Sequence, residues 1–398
     1  MTQAEGIWPE GAARREHEID WLRVLAMGGM FLFHCARFFD PVVWLAKNEQ
    51  TDQTIFLFVL FTMQWMMPLL FVLSGFSTCR ALMSHTGTTF ARDRALRLMV
   101  PLLVGALVLG PPQVYIERLT RGEYTGTLGQ FWMTDYFRGI YGMGGNFALT
   151  GIHLWYLFWL MAFTLVALPF LVLFLLRGKH IASILTDLVG LPGAILLPGM
   201  ILFWAEAVSG RMGILWRETS WFLLTYFCLF LLGFLMATDA RIRRAIQDHR
   251  RIALLLALIT LTGVWLYWNQ DGSTRTVRGL AVFLRSVNAW FWIVAILGYG
   301  RAHLRFSHPV LSYANEAVLP FYILHHPVIV VLGYAMRSWP IPLPAKFALL
   351  AATSLVGTIG LYELVIRRID VLRFLFGMRT RARQAAARRA LTRARVST

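Results

Sequence analysis

The sequence predicts an all-α fold, a polytopic membrane helix bundle of about ten transmembrane helices with both termini cytoplasmic. Hydrophobic residues make up 57% of the 398 and charged residues only 15%, and the mean hydropathy is +0.58. The apolar residues come in uninterrupted runs of about 20, the length that a helix needs to cross a bilayer, and not in alternating segments of about 10. A helical membrane protein is therefore expected, and a soluble enzyme is disfavoured.

Apolar runs between charged breaks predict ten spans, preceded by a cytoplasmic segment (1–19) and followed by a basic cytoplasmic tail (367–398) that is expected to be solvated or bound to anionic lipid. The transmembrane domain is 20–366, and its first run lacks a signal-peptide cleavage site. Prolines or ionisable residues interrupt the third, fifth and eighth spans. The predicted spans are 20–39, 55–78, 96–116, 153–176, 185–206, 219–237, 252–268, 280–300, 310–335 and 346–366.

The charge distribution supports this topology. Lys and Arg number 38 against 21 Asp and Glu, which gives a formal net charge of +17. With a cytoplasmic N-terminus, 25 of the basic residues fall in inner segments and 10 in outer ones, leaving Arg23, Arg37 and Arg285 at or within the membrane. Such a bias is typical of cytoplasmic loops, so the positive charge does not require nucleic acid. The three cysteines show no metal-ligand spacing and predict no disulfide framework.

Ionisable side chains inside spans are costly, so each is a functional candidate. Arg23 and His34 in the first span are 11 residues apart, which places them on one face of a helix about 16 Å apart along its axis. They can therefore serve opposite ends of one substrate passage. Asp20 precedes Arg23 by less than one turn.

Further histidines are predicted at the depth of His34: His153, which opens the fourth span two residues before Trp155, and the pair His325 and His326 in the ninth. A neutral imidazole can act as a base near pH 7. A hydrogen-bonded packing role is the common alternative for any one of them. A metal site is a second alternative, although no His-x3-His or His/carboxylate pattern occurs.

Two segments outside the histidines invite opposite interpretations. Arg94 and Arg97 lie one turn apart at the start of the third span, where they could fork onto phosphate oxygens or represent ordinary positive-inside bias. The outer connection 117–152 is rich in aromatic residues and glycine. It could form a lid that stacks on a sugar or anchor the protein at the interface.

Several of these residues carry a resemblance to the membrane acyltransferase 3 family, in its branch similar to glucans biosynthesis protein C. The chain has the Arg-x10-His pattern of Arg23 and His34, the Phe-Val-Leu-Ser-Gly-Phe sequence at 71–76, and Arg94-x2-Arg97 followed by Pro101. His-Leu-Trp-Tyr-Leu at 153–157 and the segment 315–327 also fit, in the expected order.

The resemblance implies transfer of an acetyl or succinyl group from cytoplasmic acyl-CoA to a hydroxyl of an extracytoplasmic glycan, in a multi-pass protein of the bacterial inner membrane. The catalytic residues would be His34 as general base with Arg23 and Asp20, and the CoA phosphates would bind Arg94, Arg97 and Arg23. The acceptor would contact His153, Trp155, Arg285, Asn288, His325 and His326.

The expected donor substrate is acyl-CoA, with no metal cofactor. The expected partners are the glycan, membrane lipids and other cell-envelope glycan synthesis proteins, with no nucleic acid. Ser74 is an alternative relay nucleophile, although a packing serine is the commoner interpretation. The rival function is a proton-coupled transporter or exporter of an acylated glycan or lipid, which would use the same intramembrane residues as a relay.

Overall fold

The structure is a computed structural model that describes residues 16–212, 217–218, 221–268 and 274–381, and only the backbone of 217–218. Residues 1–15 of the predicted N-terminal segment and 382–398 of the predicted tail lie outside the described residues. The helices are α1 (His17–Arg37), α2 (Gln53–Leu82), α3 (Gly87–Val104), α4 (Gly110–Thr120), α5 (Leu128–Gln130), α6 (Trp155–Arg177), α7 (Lys179–Val189), α8 (Gly199–Arg211), α9 (Leu223–Thr238), α10 (Ala240–Asp248), α11 (Arg250–Trp268), α12 (Arg275–His303), α13 (Pro309–Met336), α14 (Leu343–Leu361) and α15 (Asp370–Leu375).

Short irregular elements join these helices. Five-residue π-helical turns lie at Gly105–Leu109, Phe131–Asp135 and Tyr362–Ile366, and 3₁₀ turns at Ile152–Leu154 and Ala194–Leu196. Two short strands, β1 (Arg217–Glu218) and β2 (Trp221–Phe222), pair antiparallel before α9. The first π turn joins α3 to α4 and makes Gly87–Thr120 one candidate span despite its three prolines. A π turn accommodates such breaks because it re-pairs the backbone locally.

The predicted all-α membrane bundle is confirmed. Nine helical segments in the described part of the chain are long and apolar enough to cross a membrane, or ten if the bent pair α9 and α10 forms one span. These two helices meet at 108° because Asp239 is extended and its carboxylate caps α10 by accepting a hydrogen bond from the Arg241 amide. Helix α9, which corresponds to the sixth predicted span, is consequently only 16 residues long.

The predicted start of the fifth span, residue 185, is wrong. Helix α7 ends at Val189, and the membrane-spanning candidate runs over Ala194–Arg211 instead. The interruption has a local cause, since Gly193 adopts φ +77° and Pro192 and Pro198 flank it. Proline removes a backbone donor and glycine reaches the left-handed region without steric cost, so the helix breaks here.

The chain divides into two compact units. Unit 1 comprises Met1–Gly29, Leu60–Ala91 and Ala162–Ser312. Within it, α2 and α9 pack backbone to backbone: a Cβ on Gly75 would overlap the carbonyl oxygen of Phe230, and one on Gly233 would overlap that of Val72. The glycine of the Leu-Ser-Gly sequence is thus required for close helix approach, as is common between membrane helices.

Unit 2 comprises Met30–Val59, Arg92–Met161 and Tyr313–Thr398. One apolar core joins the end of α1, the following loop, α4, α13 and α14. Its buried members are Phe31, Cys35, Phe38, Phe39, Leu45, Ala46, Ile116, Ile329, Val330, Met336 and Leu350. This core fixes the positions from which the histidines of α1 and α13 project.

The beginning of the predicted tail departs from the expectation of a solvated segment. Arg373 on α15 is 3% exposed, and its guanidinium donates hydrogen bonds to Glu316 and to the carbonyl oxygens of Arg367 and Arg379. Phe376 is also buried. Residues 370–381 pack against the rest of unit 2, because the buried guanidinium of Arg373 donates to acceptors that lie before and after its own helix in the chain.

The aromatic connection packs largely on itself. Phe131 and Tyr136 are buried together with Val114 and Ala148. The Tyr136 hydroxyl donates to the carbonyl oxygen of Ala106 and accepts from the Ala148 amide, and burial raises the pKa of this phenol to about 12. The connection therefore has its own small core.

Candidate active site

Four histidine side chains converge within unit 2. The ring centroids of His153 and His326 are 4.4 Å apart and stacked, and those of His34 and His326 are 4.5 Å apart, edge to face. His325 lies 5.2 Å from His34 and 5.7 Å from His153. The four residues, here called the histidine cluster, come from α1, the 3₁₀ turn before α6, and α13.

The backbone before His153 is held in an unusual conformation. Gly151 has φ +66° and Ile152 has φ +60°, the latter a rare value for a β-branched residue. Two reciprocal hydrogen bonds hold the next residue: His153 Nε2 donates to the Tyr322 carbonyl at 3.1 Å, and the Tyr322 hydroxyl donates to the His153 carbonyl at 2.5 Å. Strain of this kind persists where the surroundings fix a functional side chain.

Hydrogen bonds define the tautomers of three cluster members. Only a ring N–H can pair with an oxygen that lacks a hydrogen, so His325 Nδ1 donates to the Phe321 carbonyl at 3.0 Å, and His153 donates through Nε2 as described. His326 Nδ1 donates to Gln113 Oε1 at 2.6 Å. The orientation of the Gln113 amide is set in turn, since its Nε2 donates to the Leu109 carbonyl.

The donor assignments of His153, His325 and His326 leave the second nitrogen of each of these three rings as an acceptor. His153 Nδ1, His325 Nε2 and His34 Nδ1 are buried and have no hydrogen-bond partner among the described residues. Buried polar atoms in proteins are nearly always paired. A group of ring nitrogens that are not paired within the protein is therefore a place where a substrate hydroxyl could donate.

His34 differs from the other three members in its exposure. His153, His325 and His326 are at most 6% exposed, whereas His34 is only partly buried. The ring centroid of Trp44 lies 6.3 Å from that of His34 and 5.3 Å from that of His326. His34 is therefore the member of the cluster that keeps exposed surface, next to the indole of Trp44.

A buried carboxylate anchors the loop in which Trp44 lies. Asp40, which is fully buried, accepts from Arg37 at 2.5 Å, from Lys47 Nζ at 2.7 Å and from the Val42 amide. Lys47 also donates to the carbonyl oxygens of Arg37 and Asp40, and burial lowers the pKa of its ammonium group to about 8. The loop 38–52 is therefore rigidly attached to the end of α1.

The predicted residues of unit 1 are held by their own partners. Arg23 on α1 forms an ion pair with Asp20 at 3.1 Å and donates to the Ser77 hydroxyl at 2.7 Å. Arg285 on α12 pairs with Glu206 at 3.2 Å and lies 4.0 Å above the ring of Trp221.

Asn288, in the same unit, is fully buried and donates to the Ala257 carbonyl and to the Thr260 hydroxyl. This amide joins α12 to α11. Its hydrogen bonds are those of a residue that ties two helices together.

The remaining predicted residues belong to unit 2. Arg94 is half-buried and Arg97 exposed in the middle of α3, and not at the start of the helix as the sequence predicted. The carbonyl of Arg97 lies beside Gly377, whose φ is +72°. Trp155, at the start of α6, is 6% exposed. The described residues contain no group of three or more His, Cys, Asp or Glu side chains placed to hold a metal ion.

Sequence reasoning missed several residues that shape the cluster: Asp40, Trp44, Lys47, Gln113 and Tyr322. An Arg, an Asp and a Lys within the eleven residues 37–47, where the first span ends, were a weak signal for the loop anchor. A glutamine inside a hydrophobic run was a similar signal for Gln113, since a buried amide needs partners.

In this helical membrane bundle the partly exposed imidazole of His34 lies next to three imidazoles that hydrogen bonds orient. Such an arrangement can supply the general base that a group-transfer enzyme needs. The acyltransferase domain model Acyl_transf_3 matches residues 16–363, nearly the whole chain. The chain therefore belongs to the acyltransferase 3 family, and it is a multi-pass membrane acyltransferase, which sets the transporter alternative aside. No curated protein and no solved structure matches it significantly.

Proposed function

We propose that the protein is an O-acyltransferase of the bacterial inner membrane, in the branch similar to glucans biosynthesis protein C. It moves an acetyl or succinyl group from cytoplasmic acyl-CoA to a hydroxyl of an extracytoplasmic glycan. The observation that carries the proposal is His34: it is the accessible member of a cluster whose other members are buried and oriented.

In the proposed reaction the glycan hydroxyl gives its proton to the imidazole of His34 while its oxygen attacks the thioester carbonyl. The C–O bond forms, the C–S bond breaks, and the CoA thiolate leaves and takes up a proton. General-base catalysis of this kind contributes about 10² to 10⁴ in rate. The ester on the glycan and free CoA account for all atoms.

The neighbouring groups would orient the acceptor. Trp44 offers an aromatic face next to His34, and His153 and His325 each keep a ring nitrogen that can accept a hydrogen bond from a second hydroxyl. Trp155, Arg285 and Asn288 remain proposed acceptor contacts on the sequence motifs alone. The other envelope glycan synthesis proteins remain proposed partners on the same ground.

Arg94 and Arg97 would bind the phosphates of CoA, since guanidinium groups form bidentate charge-assisted hydrogen bonds with phosphate. Arg23 is proposed in the same role from its motif, with Asp20 orienting it at 3.1 Å.

The reaction is tested with purified protein in lipid nanodiscs, radiolabelled acetyl-CoA or succinyl-CoA as the donor, and a linear glucose oligosaccharide as the acceptor. We expect labelled ester on the sugar and free CoA in equal amounts. The Arg94→Ala/Arg97→Ala variant should bind the donor at least tenfold more weakly, with a difference that shrinks at high salt. Arg92→Ala, on the same helix, serves as the control.

Donor affinity unchanged in the double variant would show that these two arginines set only topology. Absence of ester with both donors, in a protein that is folded, would contradict the proposed substrates.

A further inference from the structure

A cavity lies wholly within unit 1. Its volume is about 290 Å³, and α2, α8, α11, α12 and strand β2 enclose it. The polar or aromatic side chains that line it are Gln64, Glu206, Trp221, Tyr267, Arg278 and Arg285. Its size is near the lower end of the range for small-molecule sites, which suits one ring-sized unit.

One wall of this cavity carries an ion pair whose charges cancel and whose atoms are held by hydrogen bonds. Glu206 Oε1 accepts from the Phe222 amide at 2.9 Å and from the Thr225 hydroxyl at 2.5 Å, and Oε2 pairs with Arg285. Arg285 in turn lies over the ring of Trp221, whose indole N–H donates to the Met63 carbonyl. The carboxylate is therefore saturated by protein donors and does not itself call for a ligand.

Gln64 is different. The side chain is 3% exposed, and its Nε2 donates to the Leu60 carbonyl at 3.2 Å. Its Oε1 is buried and accepts no hydrogen bond from any residue that the structure describes. A buried acceptor without a donor is costly, so Gln64, which lines the cavity, is well suited to accept from a bound molecule through this oxygen.

The chemistry of the lining selects the class of ligand. The group that reaches Gln64 Oε1 must donate, which a hydroxyl does and an ionised phosphate or carboxylate oxygen does not. Apolar lining from Met63 and Val264 suits a C–H face, and the exposed Arg278 adds a donor at the rim. We propose that this cavity binds a hydroxylated sugar ring, as a carbohydrate site separate from the histidine cluster.

The proposal concerns sugar binding and not acyl transfer, although Arg285, a proposed acceptor contact, also lines this cavity. Every residue that lines the cavity belongs to unit 1, and every member of the histidine cluster belongs to unit 2. The site could hold a sugar unit of the acceptor or of another envelope glycan, and binding alone is claimed.

Binding of maltose to the full-length protein in nanodiscs tests the proposal, because these membranes contain no sugar detergent. We expect a saturable rise in the thermal midpoint of the parent protein. Gln64→Leu should weaken maltose binding at least tenfold and yet be as stable as the parent without ligand, since it replaces an unpartnered acceptor by an apolar group of similar size. A loss of binding in Gln64→Leu is specific to this cavity, because Gln64 belongs to unit 1 and no member of the histidine cluster does.

Ser354→Ala on α14 is the matched control, because it also removes a buried side-chain oxygen that has no partner among the described residues. It should bind maltose like the parent. Three results would overturn the proposal: no maltose binding by the parent, equal binding by Gln64→Leu, or stabilisation by inorganic phosphate in place of maltose.

Discussion

The histidine cluster of unit 2 and the Glu206–Arg285 pair of unit 1 both place polar groups deep in an apolar bundle, and they satisfy those groups differently. Each oxygen of Glu206 accepts a hydrogen bond from the protein. In the cluster, three ring nitrogens accept none from the described residues, although one donor on each of three rings is firmly paired.

This difference separates two uses of buried polarity. A saturated network orients the fold and loses stability when any member is removed. In a network whose N–H donors are paired and whose acceptor nitrogens are not, those nitrogens can still accept from a substrate, at a cost in stability. Mutations should therefore affect stability in the first region and turnover in the second.

The largest effect on stability is expected from Glu206→Leu. It leaves the Arg285 charge without its carboxylate and removes the acceptor of Phe222 and Thr225, which should cost about 3 kcal/mol. The double variant Glu206→Leu/Arg285→Met should recover most of that loss. Thermal midpoints of the two variants in one detergent measure the loss and the recovery. If Glu206→Leu is as stable as the parent, the ion pair does not stabilise the fold.

The next effect should appear in turnover. Gln113→Leu removes the acceptor of His326 Nδ1–H and should slow acyl transfer by about tenfold to a hundredfold, in the range found for outer partners of functional histidines. Gln113→Glu keeps an oxygen acceptor and should retain more activity. Equal losses in both variants, or a fall in donor binding to match, would argue that Gln113 only packs.

Arg373 provides a saturated cation outside both regions. Truncation after Arg368 removes it, together with Phe376, and should lower stability by about 1 to 2 kcal/mol. Truncation after Arg381 keeps the described segment and should leave stability and transfer unchanged. If the shorter protein is as stable as the parent, residues 370–381 behave as the solvated tail that the sequence predicted.

The smallest effect concerns Lys47. Its pKa of about 8 lies below the ordinary value of 10.5, so between these two pH values the unfolded chain binds more protons than the folded one. Stability must then rise with pH through that window and be flat below it. The thermal midpoint of the parent relative to Lys47→Met, measured from pH 6 to 10.5, checks the sign; a fall through the window would contradict it.

Much of this arrangement could be read from the sequence, because the bilayer fixes the length and polarity of spans. The all-α bundle followed from apolar run length, and the depth shared by His34, His153, His325 and His326 followed from their positions in the runs. Helix breaks were harder to place. Prolines also lie inside continuous helices, such as Pro68 in α2 and Pro169 in α6, so Pro192 did not by itself mark a break, and one span starts at Ala194 and not at 185.

The supporting residues were hidden for a related reason. The role of Asp40 depends on Lys47 seven residues later, and that of Gln113 on His326 more than two hundred residues away. No periodic pattern encodes such pairs. Residues 370–381 were misjudged because Arg373 sits in a basic, repetitive segment, and composition alone does not distinguish a buried arginine from solvated ones.

The central claim is that His34 accepts the proton of the acceptor hydroxyl. Glutamine keeps much of the shape and hydrogen bonding of histidine but does not take up a proton near pH 7. The direct test measures acyl-CoA affinity, thermal midpoint and acyl transfer for His34→Gln, with His180→Gln, an exposed histidine on α7, as the control.

We expect His34→Gln to bind acyl-CoA within about twofold of the parent, to remain folded, and to transfer acyl groups at least about a hundredfold more slowly. His180→Gln should behave like the parent in all three measurements. Transfer by His34→Gln within a few-fold of the parent would contradict the account and return His34 to a packing role.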